Sequence, residues 1–222
     1  MKDDVKVWDL PTRVFHWALV VLVVMSWLTA DDKGLLYVVH TISGYLVFLL
    51  ILFRLAWGWL GNDHARFGDF VRSWPAVRTY LGGLWRFKPD RTLGHNPLGG
   101  WIVVLLLAML LAITVTGMVG AAREPGALLN GLIDPALSRS VRHIHELLAN
   151  ILYFLVGLHI LGVLTDWILT GDNLIRAMIT GRKPVEEGAV AADARGGSAR
   201  AAAVVIVLLA ALGVFLIAIT SF

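Results

Sequence analysis

The sequence predicts an all-α integral membrane protein, with a four-helix transmembrane bundle followed by a fifth, C-terminal transmembrane helix. Of its 222 residues, 58% are hydrophobic, and the mean hydropathy is +0.74. A soluble domain of this size is far less apolar. Five segments are also close to the roughly 20 apolar residues that cross the hydrocarbon core. They are residues 14–30, 38–60, 99–120, 144–169 and 201–221.

The chain divides into three parts by composition. Residues 1–183 hold the first four spans and form the predicted membrane domain. Residues 184–200, "PVEEGAVAADARGGSAR", are small and polar, which is typical of a flexible linker. Residues 201–222 contain the fifth span, whose apolar run has no ionisable residue and which we interpret as a lipid-facing anchor. The N-terminal arm lacks the pattern of a signal peptide, so we expect the first span to stay in the mature protein.

The basic residues alternate between the two sides of the membrane. Most of them lie in the N-terminal arm, in the connection between the second and third spans, and in the segment after the fourth span. The positive-inside rule therefore predicts a multi-pass protein with its N-terminus in the cytoplasm and its C-terminus outside. Because the basic residues flank apolar spans and form no basic domain, nucleic acid is not an expected partner.

The chain contains no cysteine. This excludes structural disulfides, iron–sulfur clusters bound by this chain, and covalent haem attachment through a C-x-x-C-H motif. A haem bound here would therefore be non-covalent.

Four of the seven histidines lie on apolar spans, where an unpaired imidazole is costly. His145 and His159 are 14 residues apart on the fourth span. In an α-helix they share one face and are separated by about 21 Å along the axis. The predicted topology pairs His16 with His159 near the cytoplasmic surface and His40 with His145 near the outer surface. Bis-histidine ligation of two b haems, one at each depth, would use all four.

Other interpretations of the histidines stay open. Each imidazole could form a hydrogen bond with a neighbouring helix or extend to the membrane interface. A zinc or copper site is a second alternative, and it would need three or four ligands at one depth. His143 is 16 residues from His159, which turns it about 160° away on the helix, so we assign it to the outer surface. We expect His64, in the cytoplasmic connection, to lie in solvent.

Several further residues are candidates for cofactor contacts. Gly44 follows His40 by four residues, and Gly117 lies in the third span, so either glycine could leave space for a porphyrin or permit close helix packing. Arg13 could bind a haem propionate or could be an ordinary interfacial arginine. His95 and Asn96 precede Pro97 at a helix start, where they could contact a quinone or a propionate or simply cap the helix.

Five motifs resemble those of the bacterial di-haem cytochrome b family, of the cytochrome b561 type. They are "VWDLPTRVFHW", "HTISGYLVFLLILFRLAWGWLG", "LGHNPLGGW", "HELLANILYFLVGLH" and "NLIRAMITGRK". The resemblance extends over about residues 5–183 and includes the b-type cytochrome subunits of membrane-bound nickel-iron hydrogenases. It implies the inner membrane of a bacterium, and haem ligands at His16, His40, His145 and His159.

The resemblance implies an electron-transfer subunit of a quinone-linked oxidoreductase, with no catalytic side chain of its own. A quinone would bind near the cytoplasmic haem, among His95, Asn96 and Arg13. The outer haem would exchange electrons with a periplasmic c-type cytochrome or with a hydrogenase or dehydrogenase subunit. The fifth helix could pack on lipid, on another subunit or on a second copy of the chain.

Two other functions stay open. A standalone superoxide:quinone oxidoreductase would need a positive outer pocket. The candidate residues for this pocket are Arg123, Arg139, Arg142 and His143. A haem-free metal transporter or a structural anchor is the third possibility.

Overall fold

The computed structural model describes residues 4–30, 34–124, 127–185 and 193–219. The chain forms two compact units. The first comprises Met1–Val14, Leu55–Leu105 and Leu155–Ala202, and the second comprises Phe15–Arg54, Leu106–Phe154 and Ala203–Phe222.

Within the described part of the chain, four helices are long and apolar enough to cross a membrane: α1 (Leu10–Leu28), α2 (Leu35–Leu60), α5 (Pro97–Gly120) and α6 (Pro135–Thr170). They coincide with the first four predicted spans. Continuous apolar sequence produces such helices because a membrane helix must satisfy every backbone N–H and C=O internally. The prediction of the first four of the five spans is therefore confirmed at the level of helix number and length.

Helix α6 begins earlier than the apolar pattern predicted, at Pro135 instead of residue 144. Its first turns are polar, so hydropathy alone assigned them to a loop. The carboxylate of Asp134 accepts hydrogen bonds from the backbone N–H groups of Ala136 (2.9 Å) and Leu137 (3.1 Å), and thereby caps the helix. Pro135 suits the first helical position because its missing N–H would have no intrahelical partner there.

The connection between α2 and α5 contains two short helices, α3 (Phe67–Phe70) and α4 (Trp74–Trp85). Helix α4 buries Val77 and Tyr80 and exposes Trp74 and Trp85. Such an amphipathic helix with exposed tryptophans is typical of the membrane interface.

A two-stranded antiparallel sheet joins the N-terminal arm to the segment after α6. Strand β1 (Asp4–Lys6) pairs with β2 (Arg182–Pro184). Helix α7 (Leu174–Thr180) precedes β2 and ends at Gly181, whose φ of +81° is left-handed. The carbonyl of Gly181 accepts the N–H groups of both Val7 (2.8 Å) and Trp8 (3.1 Å), which fixes the start of the chain beside α7.

Helix α8 (Ala199–Ile219) follows the predicted linker. A Cβ at its Gly213 would lie 2.8 Å from Cδ1 of Leu49, so α8 packs closely against α2 within the second unit. Near the end of the predicted linker, the N–H of Ala194 donates to the carbonyl of Lys6 (2.9 Å), so the described part of this segment is attached to β1. Linker residues 186–192 lie outside the described residues, and a fifth membrane crossing by α8 stays a prediction.

Candidate functional site

The second unit brings His40 of α2 and His145 of α6 together. The centres of the two imidazole rings are 6.2 Å apart and the ring planes are at 87° to each other. These two residues are 105 positions apart in the sequence. Their predicted pairing by depth therefore corresponds to a real contact.

Backbone carbonyls hold both rings in the same way. Nδ1 of His40 lies 2.8 Å from the carbonyl oxygen of Ser26, and Nδ1 of His145 lies 2.9 Å from that of Ile113. A carbonyl oxygen can only accept a hydrogen bond, so each neutral ring carries its hydrogen on Nδ1. The lone pair of Nε2 is then available as a metal ligand, and such a second hydrogen bond is the usual way to orient a ligating imidazole.

The geometry of the pair fits a single metal ion bound by both rings. Two imidazoles that bind one metal ion from opposite sides, with bonds of about 2 Å, have ring centres about 6 Å apart, and the observed distance is 6.2 Å. Among the residues that the structure describes, no group of three or more His, Cys, Asp or Glu side chains could hold a metal ion. Two axial imidazoles are sufficient for a haem iron, because the macrocycle supplies the other ligands.

A cavity of about 930 Å³ surrounds the two rings, within the range of roughly 300–1,000 Å³ that is typical of cofactor sites. Gly44 and Gly117 both line it. A Cβ at Gly44 would meet no atom within 4 Å, whereas a Cβ at Gly117 would lie 3.0 Å from Cε1 of His145. Gly44 thus borders open space, and Gly117 leaves room for the imidazole. Gly117 therefore shows the close helix packing that was the alternative to a porphyrin contact, and a porphyrin contact of Gly44 stays a prediction.

The mouth of this cavity is charged. Arg142 lies between Glu124, at 3.6 Å, and Glu146, at 3.5 Å. His143 is 73% exposed and lies 3.5 Å from Glu146. Its exposure agrees with the helix-face prediction that His143 is turned away from the ligand side of α6.

The other predicted pair is divided between the units. His16 belongs to the second unit, where its ring contacts the ring of Trp17 edge-on with centres 5.1 Å apart. His159 belongs to the first unit and is half-buried on α6. The pairing of His16 with His159 stays a prediction.

In the first unit, Asn96 caps helix α5. Its Oδ1 accepts the N–H of Gly99 at 2.6 Å, and its Nδ2 donates to Oδ1 of Asp166 at 3.0 Å. The hydroxyl of Tyr80 donates to the same carboxylate oxygen at 2.8 Å. Burial and the neighbouring Asp166 carboxylate raise the pKa of Tyr80, so its hydroxyl remains a donor. The capping role predicted for Asn96 is therefore present, and its quinone contact stays a prediction.

His95 and Arg13 also lie in the first unit. The ring of His95 lies 4.7 Å from that of Trp8 and 4.5 Å from that of Phe70. The guanidinium of Arg13 donates to the carbonyl of Ile179. The structure thus gives His95 and Arg13 packing and hydrogen-bonding roles, and their predicted cofactor contacts stay untested.

Two residues of this region were missed or misplaced by sequence reasoning. His64 is half-buried beside Gly94 and Trp8 rather than in solvent, and burial lowers its pKa. The prediction was wrong because loop membership says nothing about the contacts a loop makes. Asp166 was not considered, although a carboxylate within an apolar span is a recognised signal of function.

Comparisons with known proteins give three related findings. Residues 7–181 match the sequence profile of a family described as prokaryotic cytochrome b561. A protein of Rhizobium leguminosarum bv. viciae named "Probable Ni/Fe-hydrogenase B-type cytochrome subunit" is 23% identical over 215 residues, which cover 82% of this chain and 90% of that protein. Proteins with the same name from Azotobacter vinelandii and Rhodobacter capsulatus are 26% and 22% identical, and the alignments cover 80% and 84% of this chain and 87% and 84% of those proteins. No solved structure matches the chain at a significant level.

Proposed function

Because the chain belongs to the prokaryotic cytochrome b561 family, we propose that it carries electrons through two bis-histidine b haems between the quinone pool and a periplasmic redox partner. Family membership itself implies a membrane-bound b-type cytochrome. The number of haems, the quinone and the partner are the parts that we propose.

The contact between His40 and His145 carries the proposal. Three features of the pair are those that two haem-ligating imidazoles require: the short distance between the ring centres, the use of each Nδ1 to bind a backbone carbonyl, and the surrounding cavity. A bound haem b supplies a one-electron carrier. The chain orients the imidazoles and encloses the site with apolar helix surface, which together set the potential.

The second haem is supported by the sequence of α6. His159 follows His145 by 14 residues within this continuous helix, which corresponds to about 21 Å along the axis on the same face. With His16 on α1 as its partner, His159 would hold a haem near the other membrane surface. Two haems at these depths would connect the two sides of a bilayer whose hydrocarbon core is about 30 Å thick.

The location in the inner membrane of a bacterium and the orientation of the chain are also proposals. They are supported by the distribution of basic residues, which favours a cytoplasmic N-terminus and a periplasmic C-terminus. The haem of His40 and His145 would then face the periplasm.

The relatives suggest the class of partner. All three that we compared are named as b-type cytochrome subunits of nickel-iron hydrogenases, so we favour a hydrogenase as the periplasmic electron donor. A c-type cytochrome or a dehydrogenase subunit is the alternative partner, and it would exchange electrons with the same outer haem. A standalone superoxide:quinone oxidoreductase is less well supported, because the three relatives are all named as subunits of a nickel-iron hydrogenase.

The haem content of the purified protein tests the proposal directly. A pyridine haemochrome assay with a reduced-minus-oxidised spectrum should find two b haems per wild-type chain. His40→Ala and His145→Ala should each lose the same haem, and His143→Ala should keep both. A wild-type chain without haem, made with adequate haem supply, would refute the cytochrome function. Loss of a haem in His143→Ala but not in His145→Ala would refute the ligand assignment.

The quinone link needs a separate measurement. Protein reconstituted in lipid vesicles, with its haems oxidised, should be reduced rapidly by a short-chain quinol. If both haems are present and no quinol reduces them, the quinone assignment is wrong.

A further inference from the structure

Arg142 occupies the mouth of the His40–His145 cavity, one helical turn before His145 on α6. Among the described residues that line the cavity, it is the one lysine or arginine, and the acidic ones are Glu124 and Glu146. Such a site holds a cofactor between apolar helices and has a single arginine at its mouth. We expect this arginine to bind an anionic group of the cofactor.

The backbone of Arg142 is fixed in this position by close packing against α5. A Cβ at Gly120 would lie 3.1 Å from the Cα of Arg142, so the two helices touch here. The hydroxyl of Ser138, one turn earlier on α6, donates to the carbonyl of Gly120 at 3.0 Å. Arg142 therefore cannot move away from the cavity without separating α5 from α6.

The guanidinium is held at the rim by loose contacts only. Its nitrogens lie 3.6 Å from Glu124 and 3.5 Å from Glu146, and its side chain is 54% exposed. Both distances exceed the roughly 3.2 Å limit of a good N–H···O hydrogen bond. Exposed ion pairs of this kind contribute little to stability. A guanidinium has five N–H donors, so these contacts leave it capacity to bind another carboxylate.

We propose that Arg142 binds a propionate carboxylate of the haem held by His40 and His145. The inference rests on the proposed function. Haem b has two carboxylate side chains on one edge, and placing a carboxylate at the mouth of an apolar cavity is favourable when a cation meets it. The hydroxyl of Thr41, another polar group of the lining, already donates to the carbonyl of Tyr37 at 3.0 Å. Glu124 and Glu146 keep the arginine at the rim instead of extended into solvent.

This role has a measurable electrical consequence. Reduction adds an electron to the haem, so a nearby positive charge stabilises the reduced form. Removing the charge of Arg142 should therefore lower the reduction potential of the outer haem. The inner haem should keep its potential, because charges separated by more than about 10 Å are largely screened.

The test compares Arg142→Gln with Arg139→Gln in the full-length protein in lipid nanodiscs. Arg139 lies one turn away on α6, is exposed and does not line the cavity, so its substitution makes the same charge change outside the site. Arg142→Gln should lower the potential of the outer haem clearly more than Arg139→Gln does, since solvent screens the more distant charge. Redox-difference infrared spectra should also show shifted propionate carboxylate bands in Arg142→Gln only.

Equal potential shifts in the two variants, with propionate bands as in the wild type, would overturn the proposal. If Arg142→Gln does not assemble, Arg142→Lys decides the question. It keeps the positive charge but loses the bidentate hydrogen bonding of the guanidinium. It should therefore shift the propionate bands while largely keeping the reduction potential of the outer haem. Unshifted bands in Arg142→Lys would refute the contact. A wild-type protein without haem would instead refute the proposed function itself.

Discussion

Gly117 and His145 are in van der Waals contact across the interface between α5 and α6. A Cβ at Gly117 would lie 3.0 Å from Cε1 and 3.2 Å from Nδ1 of the imidazole. The same Nδ1 binds the carbonyl of Ile113, one helical turn earlier on α5. One face of α5 therefore both receives the ring and orients it, which presents Nε2 for a metal.

Gly117→Ala should weaken binding of the outer haem without preventing folding. The added methyl forces the ring of His145 to shift, and such overpacking costs about 1–3 kcal/mol, equivalent to a roughly 5- to 150-fold loss of affinity. Haem content measured by pyridine haemochrome after dilution should show a partial loss of one haem. Gly162→Ala is the matched control, because a Cβ there meets no atom within 4 Å. Equal haem retention in the two variants would contradict a role of Gly117 in placing the ring.

Gly181→Ala should destabilise the contact between the N-terminal arm and α7. Gly181 has φ of +81°, and its Cβ would lie 2.7 Å from the carbonyl oxygen of Trp8. The left-handed conformation alone costs an alanine about 1 kcal/mol, and a clash with backbone adds to this, so we expect a loss of more than about 2 kcal/mol.

Gly171→Ala separates the two causes. Gly171 also ends a helix with a positive φ, of +77°, but a Cβ there meets nothing within 4 Å. The free energy of unfolding in detergent should fall clearly less in Gly171→Ala than in Gly181→Ala. Similar losses in both variants would mean that strain, and not the contact with Trp8, makes Gly181 necessary.

Asp172→Asn should strongly destabilise the first unit. The Asp172 carboxylate, 7% exposed, pairs with Arg91 and lies 3.9 Å from Nζ of Lys183, which is 3% exposed. Burial lowers the pKa of Lys183, and its ammonium group donates a hydrogen bond to the carbonyl of Thr92 at 3.0 Å. Removing one partner of a buried ion pair costs about 3 kcal/mol or more, because a buried charge remains without compensation.

The double variant Asp172→Asn, Lys183→Met provides the check. If the isolated lysine charge causes the loss, the double variant should be less destabilised than the sum of the two single variants in a chemical unfolding series. Additive losses would show that Lys183 and Asp172 are not energetically coupled.

His64 should make the stability of the fold sensitive to mild acid. Burial lowers the pKa of its imidazole below the ordinary 6.5; Lys183 and Arg72 act in the same direction, while Asp63 and Asp69 oppose the shift. The unfolded chain then binds this proton more tightly than the folded chain does. Stability should therefore fall as the pH drops from 6.5 to the lowered folded value, and should stay at the reduced level below it.

His64→Gln should remove this part of the acid sensitivity. The free energy of unfolding, measured between about pH 7.5 and about pH 5, should change less with pH in this variant than in the wild type. His143→Gln is the control, since His143 is 73% exposed. An unchanged pH profile in His64→Gln would show that its burial has no energetic effect.

The sequence by itself determined the four long helices and the residues that can ligate. Apolar segments of about 20 residues must form helices in a membrane, because their backbone groups have no other hydrogen-bond partners. The spacing of His145 and His159 places them on one face of α6 by helix geometry alone. The charges of the connections assigned His40 and His145 to one depth, and these two rings do meet.

Only the tertiary structure decided which groups surround those histidines. Several features depend on how one segment is rotated and placed against another. They are the roles of Gly117 and Arg142, the carbonyls that bind each Nδ1, the burial of His64 and the contact of Tyr80 with Asp166. The pairing of β1 with β2 joins residues 4–6 to residues 182–184 in the same way. Hydropathy and helical period are local properties that do not specify these contacts, because contacts between distant segments are selected by the packing of the whole chain.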